Sequence, residues 1–569
     1  FALKAVGDKA FTEGINRMVV HRYAMQPHSN AVPAMTLGPW GIHFDRTNTW
    51  WEPARAWMDY LNRCQTLLQE GLFVADLAYF TGDNVVGYTK VHRNELNPVP
   101  PEGYDYDLMN TETLLNRAWI EQGRLRLPDG MSYRILVLQE QSYITLGLLR
   151  KLREMVEQGL VIVGARPHQT VGLQSYSITE EKEFEQLCDE LWGKNMATMI
   201  DRNIGKGRVF WEISLNLNQV FRQIQLKPDF EVGDNPNSAP IRYIHRQIGD
   251  TDVYFVTNQR RTPEDIICNF RVEGKVPEFW NPLTGERSRA LVYQKNEGMT
   301  SVPIQLDEYG SVFVVFRSDL PEQTAIRSIY KDSECLVDAS VVSVEEQEQA
   351  KYFGVKDDFS ISLWVKPESD AMLNTDNPMG YISYPWTEYY AIYPSHGELL
   401  YGTGHATCGM AIGRNGVAVW ENAKGYPEFK MAVEKPISGW SHICLVYKEG
   451  APHIYINGEY VTYKTRSLQT IHPGLNPTTL KEGASYYNGD MSVPVLFQRV
   501  LSNKEISRLA AEGYVKKADE RALNWVPYAD NRFLLAWHDG NYDFITSDGV
   551  KKKIKVEKVG TPVMLNQKW

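Results

Sequence analysis

The stretch YRILVLQEQSYITLGLLRKLREMVEQGLVIVGARP, residues 133–167, decides the fold class of the first half of the chain. It begins with an apolar run that is typical of a buried strand. An amphipathic helix pattern that ends at Gly159 follows, and a second buried strand closes the stretch. A strand–helix–strand order of this length predicts a parallel sheet covered by helices on both faces.

The same alternation extends over residues 73–225, which we predict to be one α/β domain. FVADLAYF is a predicted strand, and YDLMNTETLLNRA is a predicted helix. GARPHQTVG bears glycines but lacks the pattern G-x-G-x-x-G, which disfavours a dinucleotide site.

Residues 1–72 predict helix, strand, long loop and helix. FALKAVGDKAFTEG has helical apolar spacing and ends at Gly14. INRMVVHRYAM is a β-branched run typical of a buried parallel strand, and a second helix lies between Pro53 and Gly71. The long loop would then lie at the carboxyl end of a strand, where βα-barrels and doubly wound sheets build their sites.

From residue 226 onward the pattern becomes all-β. Residues 226–318 predict a β-sandwich, residues 319–515 a jelly roll, and residues 516–569 strands that complete the sandwich and make the jelly roll an insertion. The whole chain of 569 residues is therefore predicted to be a multidomain α/β plus all-β protein.

Composition narrows the class of partner. A net charge of −10 disfavours a surface that binds polyanions, nucleic acid included. An aromatic content of 12% suits neutral ligands that stack on rings as well as large β-cores. The six cysteines form no C-x-x-C pair. We expect them to be scattered buried thiols; the alternative, which the even count allows, is disulfides in an oxidising compartment. The chain has no apolar run of about 18 residues, so no membrane span is predicted.

Phe1 falls inside a predicted helix, so we expect both ends to be cut from a longer protein. The sequence leaves the oligomeric state open.

Several motifs, in order, carry a family resemblance. DKAFTEGINRMVVHRYAMQP, GPWGIHFDRTNTWW, GKGRVFW, FWNPLTGE and HDGNYDF resemble glycoside hydrolase family 106, the α-L-rhamnosidases, over about residues 1–318 and 520–569. DDFSISLWVKP, GWSHICLVY and IYINGEYV resemble instead a laminin-G/concanavalin-like module.

The resemblance implies an architecture and a reaction. Residues 1–72 would be the last segment of a (β/α)8 catalytic barrel, and residues 73–225 an amidotransferase-like domain. The implied activity is inverting hydrolysis of terminal α-L-rhamnose from plant polysaccharide or glycoside, with calcium at the sugar, in a bacterial periplasm or outside the cell. Both catalytic glutamates would lie before Phe1, so no catalytic acid or base is named.

A sugar ligand would explain why the long loop, which contains GPWGIHFDRTNTWW, is rich in tryptophan. Aromatic rings match the apolar faces of a sugar, and asparagine, histidine and arginine match its hydroxyls. The predicted substrate-binding residues are His21, Arg22, Trp40, His43, Asn48, Trp50 and Trp51. The alternative is that the tryptophans pack the loop against the barrel.

Other candidates have ordinary structural roles as alternatives. Glu13 is expected to be solvated, and Asp45 and Glu52 could touch sugar or metal but are better suited to capping and salt bridges. In the jelly roll, Trp364, Trp420, Trp440 and Tyr455 could bind glycan or fill the core, and Asp357 and Asp358 could bind calcium or form a turn. Alternative functions are a noncatalytic carbohydrate-binding protein and an exo-glycosidase of another sugar specificity.

Overall fold

A computed structural model of the protein shows the fold. It describes residues 2–21, 23, 25–28, 30, 35, 44–82, 93–139, 142–171, 178–194, 199–212, 216–234, 241–259, 263–321, 324–340, 355–371, 373, 390–394, 396–424, 427–474, 487–492, 494–511, 513, 523–528 and 531–559. Within these ranges no helix is long and apolar enough to cross a membrane.

The predicted parallel sheet is present in the α/β unit. Its strands, in spatial order, are Met199–Ile204, Gly207–Glu212, Val161–Gly164, Ile135–Gln139, Leu77–Phe80 and Tyr106–Met109. Every neighbouring pair is parallel except the first two strands, which form an antiparallel hairpin. The helices of this unit are Thr111–Asn116, Leu146–Gln158, Ile178–Trp192 and Leu217–Gln223.

Both faces of this sheet are buried, which makes the unit three-layered. Ala78 and Phe80 point into a core shared with Leu152 of the helix Leu146–Gln158. Leu77 and Tyr79 point to the opposite core, which contains Val220 and Phe221 of the helix Leu217–Gln223. Alternate residues of one strand therefore face opposite layers, as expected for a sheet between helices.

One element of this unit differs from its prediction. The stretch YDLMNTETLLNRA, predicted to be one helix, begins with the strand Tyr106–Met109, and its helix covers only Thr111–Asn116. Asn110 separates them, because its side chain accepts a hydrogen bond from Thr113 N and caps the helix. The strand pairs in parallel with Leu77–Phe80, so tertiary pairing outweighs the helical spacing.

Short elements complete this region. They are the turn of 3₁₀ helix Arg93–Glu95, the strands Trp119–Glu121, Arg124–Arg126 and Ser132–Tyr133, and the parallel pair Tyr143–Ile144 with Gln169–Thr170.

A β-sandwich follows. One sheet has the spatial order Leu72–Phe73, Ile241–Ile248, Thr251–Asn258, Ser311–Arg317, Val276–Trp280 and Arg287–Arg289. The facing sheet has the order Phe230–Asp234, Glu264–Phe270, Met299–Leu306 and Gln294–Asn296. Tyr254, Phe270 and Phe316 pack between the sheets, with alternate residues inward as a sandwich requires.

The two N-terminal helices cover the outer face of this sandwich. The predicted helices are present as Ala2–Thr12 and Ala54–Gln69. Phe11 and Tyr60 lie in one buried cluster with Phe255 and Phe313 of the first sheet. The N-terminal region is therefore held directly against the sandwich.

The strand predicted from INRMVVHRYAM is wrong for the described residues. Between Thr12 and Ala54 the described positions form no strand, and Val19 and Met25 are 87% and 80% exposed. A strand needs a hydrogen-bonded neighbour on at least one edge, and no described strand pairs with this run. The β-branched sequence alone does not form one.

The tail pairs with strands outside the main sandwich. A four-stranded sheet has the order Glu334–Asp338, Ile326–Lys331, Gly540–Thr546 and Lys551–Val556. Two predicted boundaries are therefore wrong. Ile326–Lys331 lies within the predicted jelly-roll range 319–515, but its Ile329 pairs with Phe544 of the tail. The tail strands Gly540–Thr546 and Lys551–Val556 belong to this separate sheet and do not complete the sandwich, as was predicted for residues 516–569. The strands Leu523–Tyr528 and Asn531–Ala536 form a hairpin, and Leu523 packs with Ile329 and Tyr542.

The module between these paired strands is a two-sheet β-structure. One sheet contains Glu459–Tyr463, Ala451–Ile456, Ser441–Lys448, Phe359–Pro367, Gly489–Met491 and Val495–Phe497. The other contains Tyr390–Ile392, His405–Gly413, Gly416–Asn422, Glu428–Glu434 and Thr470–Pro473. The helices Gly397–Tyr401 and Asn503–Ala511 complete it. Ile361, Met410 and Ile443 meet in the core between the sheets.

The cysteines follow the sequence expectation in most positions. All six lie in described ranges, none forms a disulfide, and all except the exposed Cys335 are buried. Burial raises the pKa of the Cys64 thiol to about 12, which keeps this thiol protonated and unreactive.

Candidate functional site

Four aromatic rings meet at the edge of the N-terminal region, and we call them the aromatic cluster: Tyr23, Phe44, Trp50 and Trp51. The ring centroid of Phe44 lies 4.9 Å from that of Trp51 and 5.7 Å from that of Trp50, and the rings of Tyr23 and Trp51 are 6.1 Å apart. Trp51 is half-buried, whereas Trp50 is 38% and Tyr23 is 58% exposed. One side of the cluster therefore packs and the other faces solvent.

Two consecutive turns bring these rings together. The carbonyl of Asp45 accepts a hydrogen bond from Asn48 N at 3.0 Å, and the carbonyl of Asn48 accepts one from Trp51 N at 3.2 Å. The Oδ1 atom of Asp45 accepts two more, from Thr47 N at 2.9 Å and Thr47 Oγ1 at 2.8 Å. This is the local capping role expected for an aspartate at the start of a turn.

The electrostatics of the turn centre on Asp45. The hydrogen bonds from Thr47 lower the pKa of this carboxyl below its ordinary value, and the Arg46 guanidinium adds to the effect. The second oxygen, Oδ2, is buried and accepts no hydrogen bond within the described part of the chain; Arg46 Nη1 lies 3.9 Å away. The turn thus holds an ionised carboxylate next to the rings.

The cluster is anchored through the helix that follows it. Trp50 O accepts a hydrogen bond from Ala54 N at 2.8 Å, so the loop passes directly into Ala54–Gln69. Inside that helix, the Tyr60 hydroxyl donates a hydrogen bond to the buried Asp8 carboxylate, and Lys4 Nζ lies 2.6 Å from Asp8 Oδ2. The same Lys4 ammonium donates to Ser311 Oγ at 2.8 Å. These contacts fix the helix pair, and with it the loop, on the sandwich.

The predicted site residues divide into three groups. Trp50 and Trp51 lie in the aromatic cluster, and Asn48 is half-buried in the turn between them and Asp45. His21 is exposed, two positions before Tyr23. Arg22, Trp40 and His43 lie outside the described residues. The substrate-binding role of all seven stays a prediction.

Sequence reasoning missed two members of the cluster. Tyr23 and Phe44 were present in the motifs that carry the family resemblance, but only the tryptophans and polar residues were selected. Spacing could not have paired Tyr23 with Trp51, because 28 positions separate them and the turns at Asp45 and Asn48 decide the contact. Counting every ring in the loop would have included Phe44.

The described residues contain no set of side chains for the calcium ion that the resemblance implies. No group of three or more histidine, cysteine, aspartate or glutamate side chains there could hold a metal ion. In the module, Asp357 Oδ1 accepts from Ile471 N at 2.9 Å and Asp358 Oδ1 from Glu449 N at 2.7 Å, so both carboxylates organise turns.

The aromatic candidates of the module have packing contacts. Tyr455 is 7% exposed, and Trp364 lies 5.2 Å from the ring of His442. Trp420 lies 5.4 Å from Phe429 and 6.1 Å from Tyr390. Trp440 is half-buried. These contacts favour the core-filling alternative for Tyr455. For Trp364, Trp420 and Trp440 they single out no ring face that would bind a glycan.

Comparison with known proteins shows that the aromatic cluster lies within the residues that match a protein-family model. The model of the α-L-rhamnosidases, glycoside hydrolase family 106, matches residues 1–295, which is more than half of the chain. The chain belongs to this glycosidase family. A second model, of the concanavalin A-like lectin/glucanase superfamily, matches residues 342–507. Both family resemblances inferred from the motifs are thereby confirmed.

Two relatives show how far the similarity extends. A solved structure of the rhamnosidase from Novosphingobium sp. PP1Y is 25% identical, with a TM-score of 0.50 over 79% of this chain and 42% of that one. A protein of Formosa agariphila named "Putative beta-glucuronidase" is 33% identical over 327 residues, 57% of this chain and 26% of the relative. The chain thus spans less than half the length of either relative.

Proposed function

We propose that this member of the rhamnosidase family forms part of an enzyme that removes terminal α-L-rhamnose from plant polysaccharide or glycoside by inverting hydrolysis. The observation that carries the proposal is the family match over residues 1–295, which includes the aromatic cluster. The solvent-facing rings of Trp50 and Tyr23 support a role in contacting the sugar. A periplasmic or secreted location remains part of the same proposal.

The chemistry divides between binding and bond cleavage. Rings such as Trp50 would pack on the apolar C–H face of the sugar, and polar groups such as Asn48 and His21 would bond to its hydroxyls. Inverting hydrolysis needs two carboxyl groups about 6.5–9.5 Å apart, one acid and one base. In the proposal these groups lie in the portion of the longer enzyme that this chain does not include.

The same proposal accounts for the exposed apolar run. Val19 and Met25 are among the most exposed large apolar side chains of the described residues. Residues 1–72 would be the last segment of a catalytic barrel, and the strands of that barrel would cover this run. The coverage of only 42% of the Novosphingobium rhamnosidase supports that arrangement.

A second candidate keeps the scaffold but changes the sugar. The name of the Formosa relative refers to a β-glucuronide, and a scaffold alone does not fix the sugar. An exo-glycosidase of that specificity is therefore the runner-up. A noncatalytic carbohydrate-binding protein is the third possibility, and the concanavalin-like module is the observation in its favour.

A panel of aryl glycosides separates these functions. The full-length protein that contains this chain should hydrolyse an aryl α-L-rhamnoside and leave an aryl β-D-glucuronide intact, and NMR should show inversion at the anomeric carbon. Residues 1–569 alone should release no aglycone. Turnover of only the glucuronide would establish the second function, and turnover of neither with retained glycan binding the third.

A further inference from the structure

A short segment, residues 100–105, lies between the α/β unit and the β-sandwich, and we call it the junction segment. The Gly103 carbonyl accepts a hydrogen bond at 2.8 Å from the backbone N–H of Asp229, which leads into the sandwich. The Asp105 carbonyl accepts one at 3.3 Å from the N–H of Leu77, the first residue of a strand in the parallel sheet. The junction segment is therefore bonded to both domains.

One carboxylate of the junction segment is held at a single oxygen. Arg93 Nη2 donates a hydrogen bond to Asp105 Oδ1 at 3.0 Å. The same guanidinium also donates to three backbone carbonyls, those of Pro100, Pro101 and Tyr104. Asp105 Oδ2 is buried and accepts no hydrogen bond within the described part of the chain. A buried carboxylate oxygen without a donor disfavours the ionised form of this side chain.

Charged and titratable groups from both domains face Asp105. They are Arg93, Glu102 and Tyr106 of the α/β unit and Asp229, Tyr243 and His245 of the sandwich. Burial has the largest effect on the Asp105 carboxyl and raises its pKa, and the Arg93 charge opposes this effect. The charges of Asp229 and Glu102 raise the pKa further and that of His245 lowers it, which leaves the value at about 7.

The facing groups of the sandwich keep their charge while Asp105 titrates. Burial lowers the pKa of His245, but its two carboxylate partners outweigh burial and raise the value to about 9, so the imidazole stays protonated. Burial opposes the ionisation of Asp229, but His245 and Arg271 lower its pKa below the ordinary value. Burial raises the pKa of Tyr243 well above its ordinary value, so this hydroxyl stays neutral.

We propose that the junction segment is a pH-sensitive joint, in which Asp105 carries a proton in acid and its ionisation towards neutral pH loosens the α/β unit from the sandwich. When protonated, the side chain still accepts from Arg93 through Oδ1 and adds no second negative charge beside Asp229. When ionised, it leaves the buried Oδ2 without a donor, and water reaches this oxygen only if the segment moves. Because Gly103 belongs to the same segment, that movement breaks its bond to Asp229.

The direction of the pH dependence follows from the raised pKa of Asp105. A carboxyl whose pKa is higher in a closed, buried joint than in an open, hydrated one favours the closed form in acid. This preference declines as pH rises from about 4, the ordinary value for an aspartate, to about 7, and is constant above that. The joint is therefore tight in acid and looser at neutral pH.

The alternative is a structural ion pair between Asp105 and Arg93. The carboxylate would then stay ionised throughout, and the junction would respond to pH no more than the rest of the α/β unit does. Two observations on the described residues favour the titrating joint: Oδ2 has no donor, and three carbonyls share the Arg93 guanidinium.

Hydrogen exchange followed by mass spectrometry tests the joint in the unmodified chain, residues 1–569. The peptide that contains Asp229 reports its bond to Gly103, and the peptide that contains Val163, inside the parallel sheet, is the internal reference. After correction for the intrinsic exchange rate, protection of the Asp229 peptide should be at least about tenfold lower at about pH 7 than at about pH 5. Protection of the Val163 peptide should change less than about twofold.

Two substitutions show whether Asp105 is responsible. Asp105→Asn keeps an oxygen acceptor for Arg93 and cannot ionise, so the Asp229 peptide should be as protected at about pH 7 as in the parent at about pH 5, within about twofold. The matched control is Asp129→Asn, which removes an exposed carboxylate of the same domain, paired with Arg117 at 2.6 Å. This control should keep the pH ratio of the parent.

Three results would overturn the proposal. They are equal protection of the Asp229 peptide of the parent at the two pH values, an equal change in the Val163 peptide, or the parental pH ratio in Asp105→Asn. The first two need no variant, so they decide the question even if Asp105→Asn does not fold. No substrate takes part in the measurement, which is therefore independent of the proposed catalytic function.

Discussion

The Nδ1 atom of His245 lies 3.0 Å from Oδ2 of Asp229 inside the β-sandwich, and both side chains are almost fully buried. The other ring nitrogen, Nε2, lies 3.1 Å from Asp252 Oδ1. Arg271 continues the network, because its Nη2 atom is 3.3 Å from Asp229 Oδ1 and 2.8 Å from Asp76 Oδ2 of the α/β unit. The imidazole is thus held between two carboxylates next to the junction of two domains.

This geometry predicts a loss of stability at alkaline pH. Burial alone would lower the pKa of His245, but Asp229 and Asp252 outweigh it and raise the value from 6.5 to about 9. A pKa raised by folding stabilises the native state fully below about 6.5, and the contribution disappears as pH rises through about 9. Thermal unfolding followed by circular dichroism should show the sandwich transition fall over this window.

The variant His245→Gln should remove that pH dependence. It should destabilise the protein at pH 6.5 by on the order of 3 kcal/mol and have much less effect at pH 10. A matched control is His442→Gln, because burial lowers the pKa of His442 to about 4 and keeps it neutral over the whole window. A pH-independent penalty for His245→Gln would contradict the account.

The variant Tyr60→Phe tests how the helix carrying the loop is anchored. Removing the hydroxyl leaves the buried Asp8 carboxylate without one of its donors, although Lys4 and Thr257 still contact it. We expect a loss of about 1–3 kcal/mol, measured by urea unfolding of residues 1–569. The control Tyr143→Phe changes an exposed ring and should cost less than about 0.5 kcal/mol. Equal stability of the two variants would show that the Asp8 contact is not an anchor.

The connection between the N-terminal helices and the sandwich depends on Gly71. Its φ is +63°, and a Cβ atom there would lie 2.1 Å from Gln247 O. Gly71→Ala should therefore cost more than the roughly 1–2 kcal/mol of a left-handed residue, because backbone must also move. Gly14→Ala is the control: its φ is +95°, but a Cβ atom meets nothing within 4 Å. Equal melting temperatures of the two variants would contradict the steric argument.

Much of the fold follows from local sequence. The stretch 133–167 predicted strand, helix and strand, and all three are present because its buried leucines and valines repeat with the correct periods and Gly159 ends the helix with φ +130°. The helices Ala2–Thr12 and Ala54–Gln69 were also predicted from the spacing of their apolar residues, and both are present.

The errors have a common physical origin in pairing between distant residues. The apolar run at Val19 and Val20 has the composition of a strand but no described neighbour to pair with. The strand Ile326–Lys331 joins the tail through Phe544, more than 200 residues away, so no local pattern could separate it from the module. Sequence periodicity fixes which face of an element is apolar but not which element covers it.

The sequence predicted only part of the aromatic cluster, again because contacts between distant residues cannot be predicted from local sequence. Residue types identified Trp50 and Trp51, since indoles beside asparagine suit a sugar. The partnership of Tyr23 with Trp51 depends on the turns at Asp45 and Asn48, which composition does not reveal.

The most direct test of the central claim is the kinetics of Trp50→Ala in the full-length protein. If the aromatic cluster binds the sugar, kcat/KM for an aryl α-L-rhamnoside should fall about tenfold or more, and Trp50→Phe should retain most of it. The matched control is Trp119→Ala, since Trp119 is 42% exposed and Trp50 38%. Thermal unfolding should be unchanged in all three variants. A kcat/KM of Trp50→Ala equal to that of Trp119→Ala would contradict the account.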